Sequence, residues 1–190
     1  MGDNLAMTDI DRFKQIVKDN IHRNGIDVLM NWLDTTDFYT APSSTRYHGA
    51  VPGGLCKHSL AVYDRLIQMN NEESNETLAI AALFHDLCKV NMYKQSMRNT
   101  KDENGKWIQV PYYEIDDQYL PMGHGEKSVY MIMSFMHLTE EEALAIRWHM
   151  SGWYTNNQGE NQALGNALQK YKLVLKLQTA DAQAAFWDRS

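Results

Sequence analysis

The stretch Leu78-Ala79-Ile80-Ala81-Ala82-Leu83-Phe84-His85-Asp86-Leu87-Cys88-Lys89 decides the fold. Its first seven residues are apolar all round a helix, and such a helix is normally buried on every face. The polar residues His85 and Asp86 follow without a break. A carboxylate in such a place needs a partner, because burying it alone costs several kcal/mol. The stretch therefore predicts a buried helix whose last turn carries two polar groups that must be paired or bound to a metal.

The chain before this stretch also carries helical signals. Thr8 is predicted to cap a helix that runs to about residue 23, with Gly25 as its stop. A short helix is predicted over residues 26–33, a long loop over 35–52 and a third helix over 54–70. Ser74 is predicted to cap the buried helix itself. This half of the chain is therefore predicted to be helical with one long loop.

One segment after the buried helix changes period from helix to strand. Residues 93–99 and 107–115 flank Asn104-Gly105, a pair typical of a hairpin turn, and Pro111 favours an edge strand. Helices are predicted again over 125–136, over 139–150 with a capping box of Thr139 and Glu142, and over 161–186. The predicted fold is all-α, a helical bundle with one small hairpin inserted at about 92–115.

The composition limits the classes of protein. The chain has 190 residues, 44% of them hydrophobic, so one domain over 1–190 is expected. The sequence has no apolar run of membrane-spanning length, no signal-peptide pattern and no Cys-x-x-Cys pair. We therefore expect a cytoplasmic protein whose two cysteines, Cys56 and Cys88, are buried free thiols, with no membrane partner. A net charge of −6 disfavours long nucleic acid as a partner and leaves a small phosphorylated ligand open.

Further polar residues lie on faces that the pattern predicts to be buried. His58 follows Leu55 by three residues and Asp181 follows Leu177 by four, so each shares an apolar helix face, and His149 has the same relation to its apolar neighbours. A single histidine of this kind is more often a hydrogen-bonded core residue. Several converging from different helices are typical of a metal site in a bundle. Imidazole and carboxylate ligands suit Mn, Fe, Zn, Ni or Co.

The order of these residues carries a resemblance. His58, then His85-Asp86, then Asp181 resembles the H…HD…D pattern of the HD superfamily of metal-dependent phosphohydrolases. Residues 53–59 (GGLCKHS) resemble the glycine-glycine-leucine…His-Ser/Thr segment that opens many such domains. Residues 82–89 (ALFHDLCK) resemble the family's segment around the His-Asp pair, with Cys88 in place of the usual glycine.

The similarity extends over about 47–187, the predicted core, on which helices within 8–34 are expected to pack. Thr179-Ala180-Asp181 matches the terminal Asp motif, and His124 and His149 stand where two-metal HD proteins carry further ligands. HD-GYP phosphodiesterases, the HD domain of bacterial 3′-to-5′ exoribonucleases and diiron HD oxygenases share this plan, although the Gly-Tyr-Pro motif is absent here. The resemblance implies two divalent ions. One ion would be held by His58, His85 and Asp181, the other by His124 and His149, and Asp86 would bridge them.

Cationic and hydroxyl side chains near this set are candidates for phosphate recognition. Lys89 matches the family's lysine after the His-Asp pair, and its alternative role is to compensate the helix dipole at a helix end. Lys127 and Ser128 fall in the first turn of a predicted helix, where free N–H groups can bind phosphate. Lys94 and Arg98 on the hairpin are predicted to form part of a substrate pocket or lid, with a solvated surface role as the alternative.

Three functions remain open at this point. The leading prediction is a phosphohydrolase that acts on a small phosphorylated compound, nucleotide or short oligonucleotide, with Asp86 and Lys89 as its catalytic residues. A diiron oxygenase of the inositol-oxygenase kind has the same set of four histidines and two aspartates. A non-catalytic ligand-binding module is the third, disfavoured because all six ligand-type residues are present. Substrate, metal and oligomeric state stay undetermined by the sequence.

Overall fold

Three helices begin at the capping side chains that the sequence predicts. The Thr8 side chain accepts a hydrogen bond from the Asp11 N–H, and the Ser74 side chain accepts one from the Thr77 N–H. Thr139 forms the reciprocal capping box with Glu142. Each cap satisfies a backbone N–H that has no partner inside its helix. These predicted helix starts are therefore confirmed.

The computed structural model describes residues 7–46, 49–69, 72–116, 120–150 and 157–187. Within these ranges the chain forms eight α-helices, a short 3-10 helix and one two-stranded antiparallel sheet, so the predicted all-α fold with one hairpin is confirmed. The helices are α1 (Asp9–Asn20), α2 (Ile26–Leu33), α3 (Gly54–Gln68), α4 (Asn75–Phe84), α5 (His124–Met133), α6 (Glu140–Trp148), α7 (Gln158–Lys170) and α8 (Lys172–Trp187). The 3-10 helix is Leu87–Lys89, and the strands are β1 (Tyr93–Lys101) and β2 (Trp107–Ile115).

Helix α4 lies at the centre of the core. All of its residues from Leu78 to Phe84 are 3% exposed or less, as the apolar run predicts. Helices α1, α3 and α6 pack against α4, and α8 packs against α3 and α6. The rings of Phe84 and Phe13, on α1, meet edge to face at 5.9 Å between centroids, which is a favourable aromatic geometry. The N-terminal helix thus shares the core of the bundle.

Helix α1 ends three residues earlier than predicted. Ile21 is extended (φ −111°, ψ 113°) and buried, and the chain after it makes tertiary contacts instead of another helical turn. The Arg23 guanidinium reaches the carboxylate of Glu142 on α6. Gly25 adopts φ +96° at the start of α2, where a Cβ would lie 2.0 Å from the carbonyl oxygen of Phe135. Glycine is therefore required there by both conformation and space.

The predicted helix over 161–186 is wrong as a single element. The structure has α7 and α8 instead, separated at Tyr171, whose backbone is extended (φ −132°, ψ 118°). No glycine or proline lies at this break, so the sequence offers no local signal for it. Helix α7 also begins earlier than predicted, because the Asn157 side chain caps it by accepting from the Gly159 N–H. Helices α5 and α6 end three and two residues before their predicted limits at 136 and 150.

The predicted hairpin is confirmed, with β1 two residues longer than expected. The strands pair from Tyr93 opposite Ile115 to Lys101 opposite Trp107. The Asp102 carboxylate accepts hydrogen bonds from the backbone N–H groups of Asn104 and Lys106, which closes the turn. Along the chain the hairpin lies between the 3-10 helix and α5, and Ile115 at its base borders a cavity together with Cys88 and His124.

The remaining predictions about the fold concern the two cysteines, membrane-spanning helices, the loop over 35–52 and two predicted limits. Cys56 and Cys88 are buried free thiols, as expected. None of the described helices is both long and apolar enough to cross a membrane. The described part of the predicted 35–52 loop contains no helix or strand. Tyr47, where the predicted core starts, and Asn70, the predicted end of the third helix, lie outside the described residues.

Candidate metal centre

The six ligand-type side chains come from five helices and meet in the bundle. Two of the histidines stand at equivalent places, since His85 ends α4 and His149 ends α6. Both positions follow buried helical turns, so packing of these turns fixes the backbone from which the two imidazoles reach the centre. The other four are His58 on α3, Asp86 directly after α4, His124 at the start of α5 and Asp181 on α8.

A close approach of α5 and α6 positions His124. A Cβ on Gly125 would lie 2.1 Å from the carbonyl oxygen of Arg147, so only glycine permits this packing. The neighbouring His124 ring then lies 5.1 Å from the His149 ring, between centroids. The structure thus turns the His124 side chain toward the other ligand-type residues.

One group of ligand atoms surrounds the Nε2 atoms of His58 and His85. These two nitrogens are 3.3 Å apart, and the Asp86 Oδ2 atom lies 3.6 Å from His58 Nε2 and 3.4 Å from His85 Nε2. Asp181 Oδ1 approaches the same nitrogens at 3.0 and 3.8 Å. The atoms of His58, His85 and Asp86 lie within 4.8 Å of one another, so one ion could contact all three.

A second group uses the other oxygen of Asp86. Asp86 Oδ1 lies 2.7 Å from His124 Nε2 and 3.5 Å from His149 Nε2. These three residues also offer ligand atoms within 4.8 Å of one another. Asp86 is thus common to both groups and presents one oxygen to each, which is the arrangement a bridging carboxylate requires.

The hydrogen bonds of two imidazoles test whether cations fit these groups. The Nδ1 atoms of His85 and His149 lie 2.8 and 2.6 Å from the backbone carbonyls of Ala82 and Ile146. A carbonyl only accepts, so each Nδ1 carries a proton and Nε2 is the ring nitrogen that can act as a metal ligand in the centre. His149 Nε2 is buried without a hydrogen-bond partner and faces an Asp86 oxygen, another acceptor. A cation between them would satisfy both, so the donor set fits divalent ions.

The charges of the centre are mutually stabilised. Burial alone would raise the pKa of Asp86, but the Lys89 ammonium and the imidazoles hold this pKa well below its usual range. Burial acts likewise on Asp181, whose pKa is nevertheless lowered, chiefly by its hydrogen bond to His58. The Lys89 pKa is raised by Asp86, against the effect of burial. Both carboxylates are therefore ionised, as metal ligands must be.

The side chains predicted for catalysis or phosphate recognition next to the His-Asp pair lie close to the centre. Lys89 Nζ is 2.6 Å from Asp86 Oδ2. The Ser128 hydroxyl accepts a hydrogen bond from the Cys88 N–H and is fully buried, while burial lowers the pKa of the neighbouring Lys127. Cys88 Sγ lies 3.2 Å from Nδ1 of His124, a contact that the sequence reading missed. Ser128 thus contacts the backbone at Cys88, two residues after the ligand-type residue Asp86.

The two hairpin cations lie apart from this group. Lys94 Nζ is 3.6 Å from the Glu114 carboxylate, and the Arg98 guanidinium lies 5.7 Å from the centre of the Tyr112 ring. Strand alternation places both on the face opposite to Ile115, the hairpin residue that borders the cavity beside His124. Their role in substrate binding stays a prediction.

The sequence reading also missed the cavity itself. It measures about 420 Å³ and borders His124, and its wall includes Met92, Met122, Met150 and Trp148. These residues are distant in sequence and have no shared motif, so only the fold brings them together. Methionines at these positions carried no signal beyond ordinary hydrophobicity.

Comparison with known families agrees with the geometry. A family model described as HD domain matches residues 55–185, well over half of the chain. No curated protein and no solved structure matches the chain at a significant level. The matched range contains all six ligand-type residues, from His58 to Asp181.

Proposed function

This chain belongs to the HD domain family, and from this we propose that it is a metal-dependent phosphohydrolase. The family consists mostly of metal-dependent hydrolases. The proposed substrate is a small phosphorylated compound, a nucleotide or a short oligonucleotide. The acidic net charge of −6 supports a small substrate rather than long nucleic acid.

The observation that carries the proposal is the shared carboxylate of Asp86. Its two oxygens face two separate groups of imidazoles, and His149 Nε2 has no hydrogen-bond partner. His149 Nε2 and the Asp86 oxygen that it faces are both acceptors, and a positive charge between them would satisfy both. This supports two ions, with Mn, Fe, Zn, Ni or Co as candidates. In the proposal His58, His85 and Asp181 would hold the first ion, His124 and His149 would hold the second, and Asp86 would contribute one oxygen to each.

The chemistry divides between the ions and the protein. Bound divalent ions supply Lewis acidity, which polarises a phosphoryl oxygen and makes water nucleophilic at neutral pH. Lys89 keeps Asp86 ionised and places a positive charge beside it, where it can stabilise charge on a phosphoryl oxygen. Because α5 begins at His124, Lys127 and Ser128 are its fourth and fifth residues, and the Lys127 N–H already donates to the Gly123 carbonyl, so the expected free N–H groups are not found at these two positions. Lys127 and Ser128 are proposed to orient the phosphate through their side chains. The hairpin residues Lys94 and Arg98 are proposed to contact the outer part of the substrate.

The first experiment measures metal content and hydrolysis together. Protein purified without added metal is analysed for its elements, then assayed on phosphomonoesters and phosphodiesters with each candidate ion. We expect about two divalent ions per chain and release of phosphate or of a nucleotide. Asp86→Asn should abolish both, His85→Ala should abolish hydrolysis and weaken metal binding, and His137→Ala, an exposed histidine outside the centre, should change neither. A centre that stays empty under every loading condition would refute the proposal.

The second candidate is a diiron oxygenase, which the same set of four histidines and two aspartates would suit. Purified protein that holds iron in a mixed-valent state and consumes oxygen, with no hydrolysis of any phosphate ester, would favour it. Two bound ions with neither activity would favour a non-catalytic module. We also propose a cytoplasmic location, because both cysteines are free thiols, as is usual in a reducing compartment.

A further inference from the structure

A cavity beside the metal centre has the features of a binding site for an organic group. We call it the methionine cavity and define it by Met92, Met122, Met150, Ile115, Trp148 and His124. Its volume of about 420 Å³ falls in the range of small-molecule pockets, roughly 300 to 1,000 Å³. One or two aromatic rings would fit in that space.

The cavity adjoins the most exposed ligand of the centre. The His124 side chain is 21% exposed, whereas the side chains of Asp86 and His149, its partners in the second group, are 3% and 0% exposed. The first group is also enclosed, with the His58 and Asp181 side chains at 5% and 11%. A molecule in the methionine cavity would therefore meet the centre at His124.

The wall of the cavity is chemically uneven. Three thioethers, Ile115 and the Trp148 ring provide apolar surface. Four charged residues also border the cavity, namely Glu126, Lys127, Arg147 and Glu160. The Arg147 guanidinium lies 3.6 Å from the centre of the Trp148 ring and pairs with Glu126 at 2.7 Å. Its charge is therefore already balanced, and this part of the wall is not an anion site. Thioether sulfur makes favourable contacts with aromatic rings, worth about 0.3–1.5 kcal/mol each.

We propose that the methionine cavity binds an aromatic group of the substrate while the phosphate that group carries is held at the metal centre. The inference rests on the proposed function, since that function places the phosphate. It adds the chemical class, an aromatic phosphate ester in preference to a polyol or sugar phosphate. The aromatic group could be a simple aryl ring or a nucleobase, which share flat, polarisable faces.

Binding of phosphonates to the Mn²⁺-loaded protein tests this without requiring turnover. Benzylphosphonate, cyclohexylmethylphosphonate and 2-hydroxyethylphosphonate have the same phosphonate group and differ in the organic part. We expect calorimetry to give benzylphosphonate at least about tenfold tighter binding than hydroxyethylphosphonate, equivalent to about 1.4 kcal/mol. The cyclohexyl ligand should fall between them, because it is apolar but lacks an aromatic face. Adenosine 5′-monophosphate against ribose 5-phosphate then shows whether a nucleobase gives the same gain.

Variants of the wall locate the effect. Met122→Gln and Met150→Gln keep the size of the side chain and remove its apolar end, and each should weaken benzylphosphonate about fivefold while hydroxyethylphosphonate is unchanged. Met133→Gln on the exposed face of α5 is the matched control and should change neither ligand. Equal affinity for the three phosphonates, no binding at all, or the same loss in Met133→Gln would overturn the inference.

The outcomes separate this inference from the proposed function. Hydrolysis of phosphate esters without any aromatic preference would retain the function and reject the cavity as the site of the organic group. Aromatic preference that the wall variants abolish, in a protein that hydrolyses no phosphate ester, would retain the cavity as a binding site and reject the phosphohydrolase.

Discussion

Replacement of Glu142 is expected to destabilise the protein strongly although this residue lies away from the metal centre. Its side chain is 0% exposed and accepts hydrogen bonds from the Arg23 guanidinium, from the Thr77 hydroxyl at 3.0 Å and from the Thr139 N–H at 2.8 Å. Arg23 also reaches Glu76 in the first turn of α4. One carboxylate thus joins the N-terminal ends of α4 and α6, the helices that end in His85 and His149.

The magnitude follows from what Glu142→Ala leaves behind. Breaking a buried ion pair by removing one partner costs about 3–5 kcal/mol, and loss of the Glu142 half of the capping box adds a smaller cost, because the Thr139 side chain still accepts from the N–H of residue 142. Arg23 remains 18% exposed and keeps Glu76, which reduces the first figure. We therefore expect the free energy of unfolding to fall by about 3 kcal/mol. Glu142→Gln should cost about half as much, because the amide oxygen can still accept from Thr139.

Urea unfolding followed by far-ultraviolet circular dichroism measures the change. The matched control is Glu140→Ala, since Glu140 lies in the same turn but is 60% exposed and pairs with the exposed Lys170. Surface pairs of this kind contribute about 0–1 kcal/mol. If Glu142→Ala cost no more than Glu140→Ala, the reasoning that the buried carboxylate ties the two helices together would be wrong.

Four further results are expected. Burial raises the pKa of Cys56 and of Cys88 to about 12, so a thiol reagent at pH 8 should leave both unreacted until the protein unfolds; rapid labelling of the native protein would contradict this. Phe84→Ala should lower the free energy of unfolding by about 3–5 kcal/mol in the same urea assay, and a loss below 1 kcal/mol would show that α4 is not central. Divalent ions at a hundred times their dissociation constant should stabilise the fold by about 2.7 kcal/mol for each ion bound, measured as a rise in melting temperature that a chelator reverses; no rise would argue against binding. Lys94→Ala and Arg98→Ala should raise KM with kcat kept, and an unchanged KM would remove the hairpin from the substrate site.

The features that the sequence predicted correctly depend on local patterns. Ser74 and Thr139 cap helices because their side chains reach backbone N–H groups within the same turn, whatever the rest of the chain does. The apolar run before His85 is buried because no face of that helix suits water. His58 follows Leu55 by three residues and so shares its apolar helix face, which predicted that the His58 side chain points into the core.

The features that were missed depend on distant parts of the chain. The break at Tyr171 has no glycine or proline and exists only in the folded bundle. The contact of Cys88 with His124 joins residues 36 positions apart through the α5 packing, which no helical period reports. The face of the hairpin that carries Lys94 and Arg98 follows from the strand register, and their role in substrate binding stays a prediction.

Two helices direct their carboxyl-terminal ends at the centre, because His85 ends α4 and His149 ends α6. The aligned peptide dipoles of a helix give its carboxyl-terminal end a partial negative charge of about half an elementary charge. Backbone electrostatics therefore attract a dication to this spot even before any side chain binds it. Removing one imidazole should accordingly weaken divalent affinity by degrees and leave a measurable remainder, since alanine substitution leaves both helix ends in place.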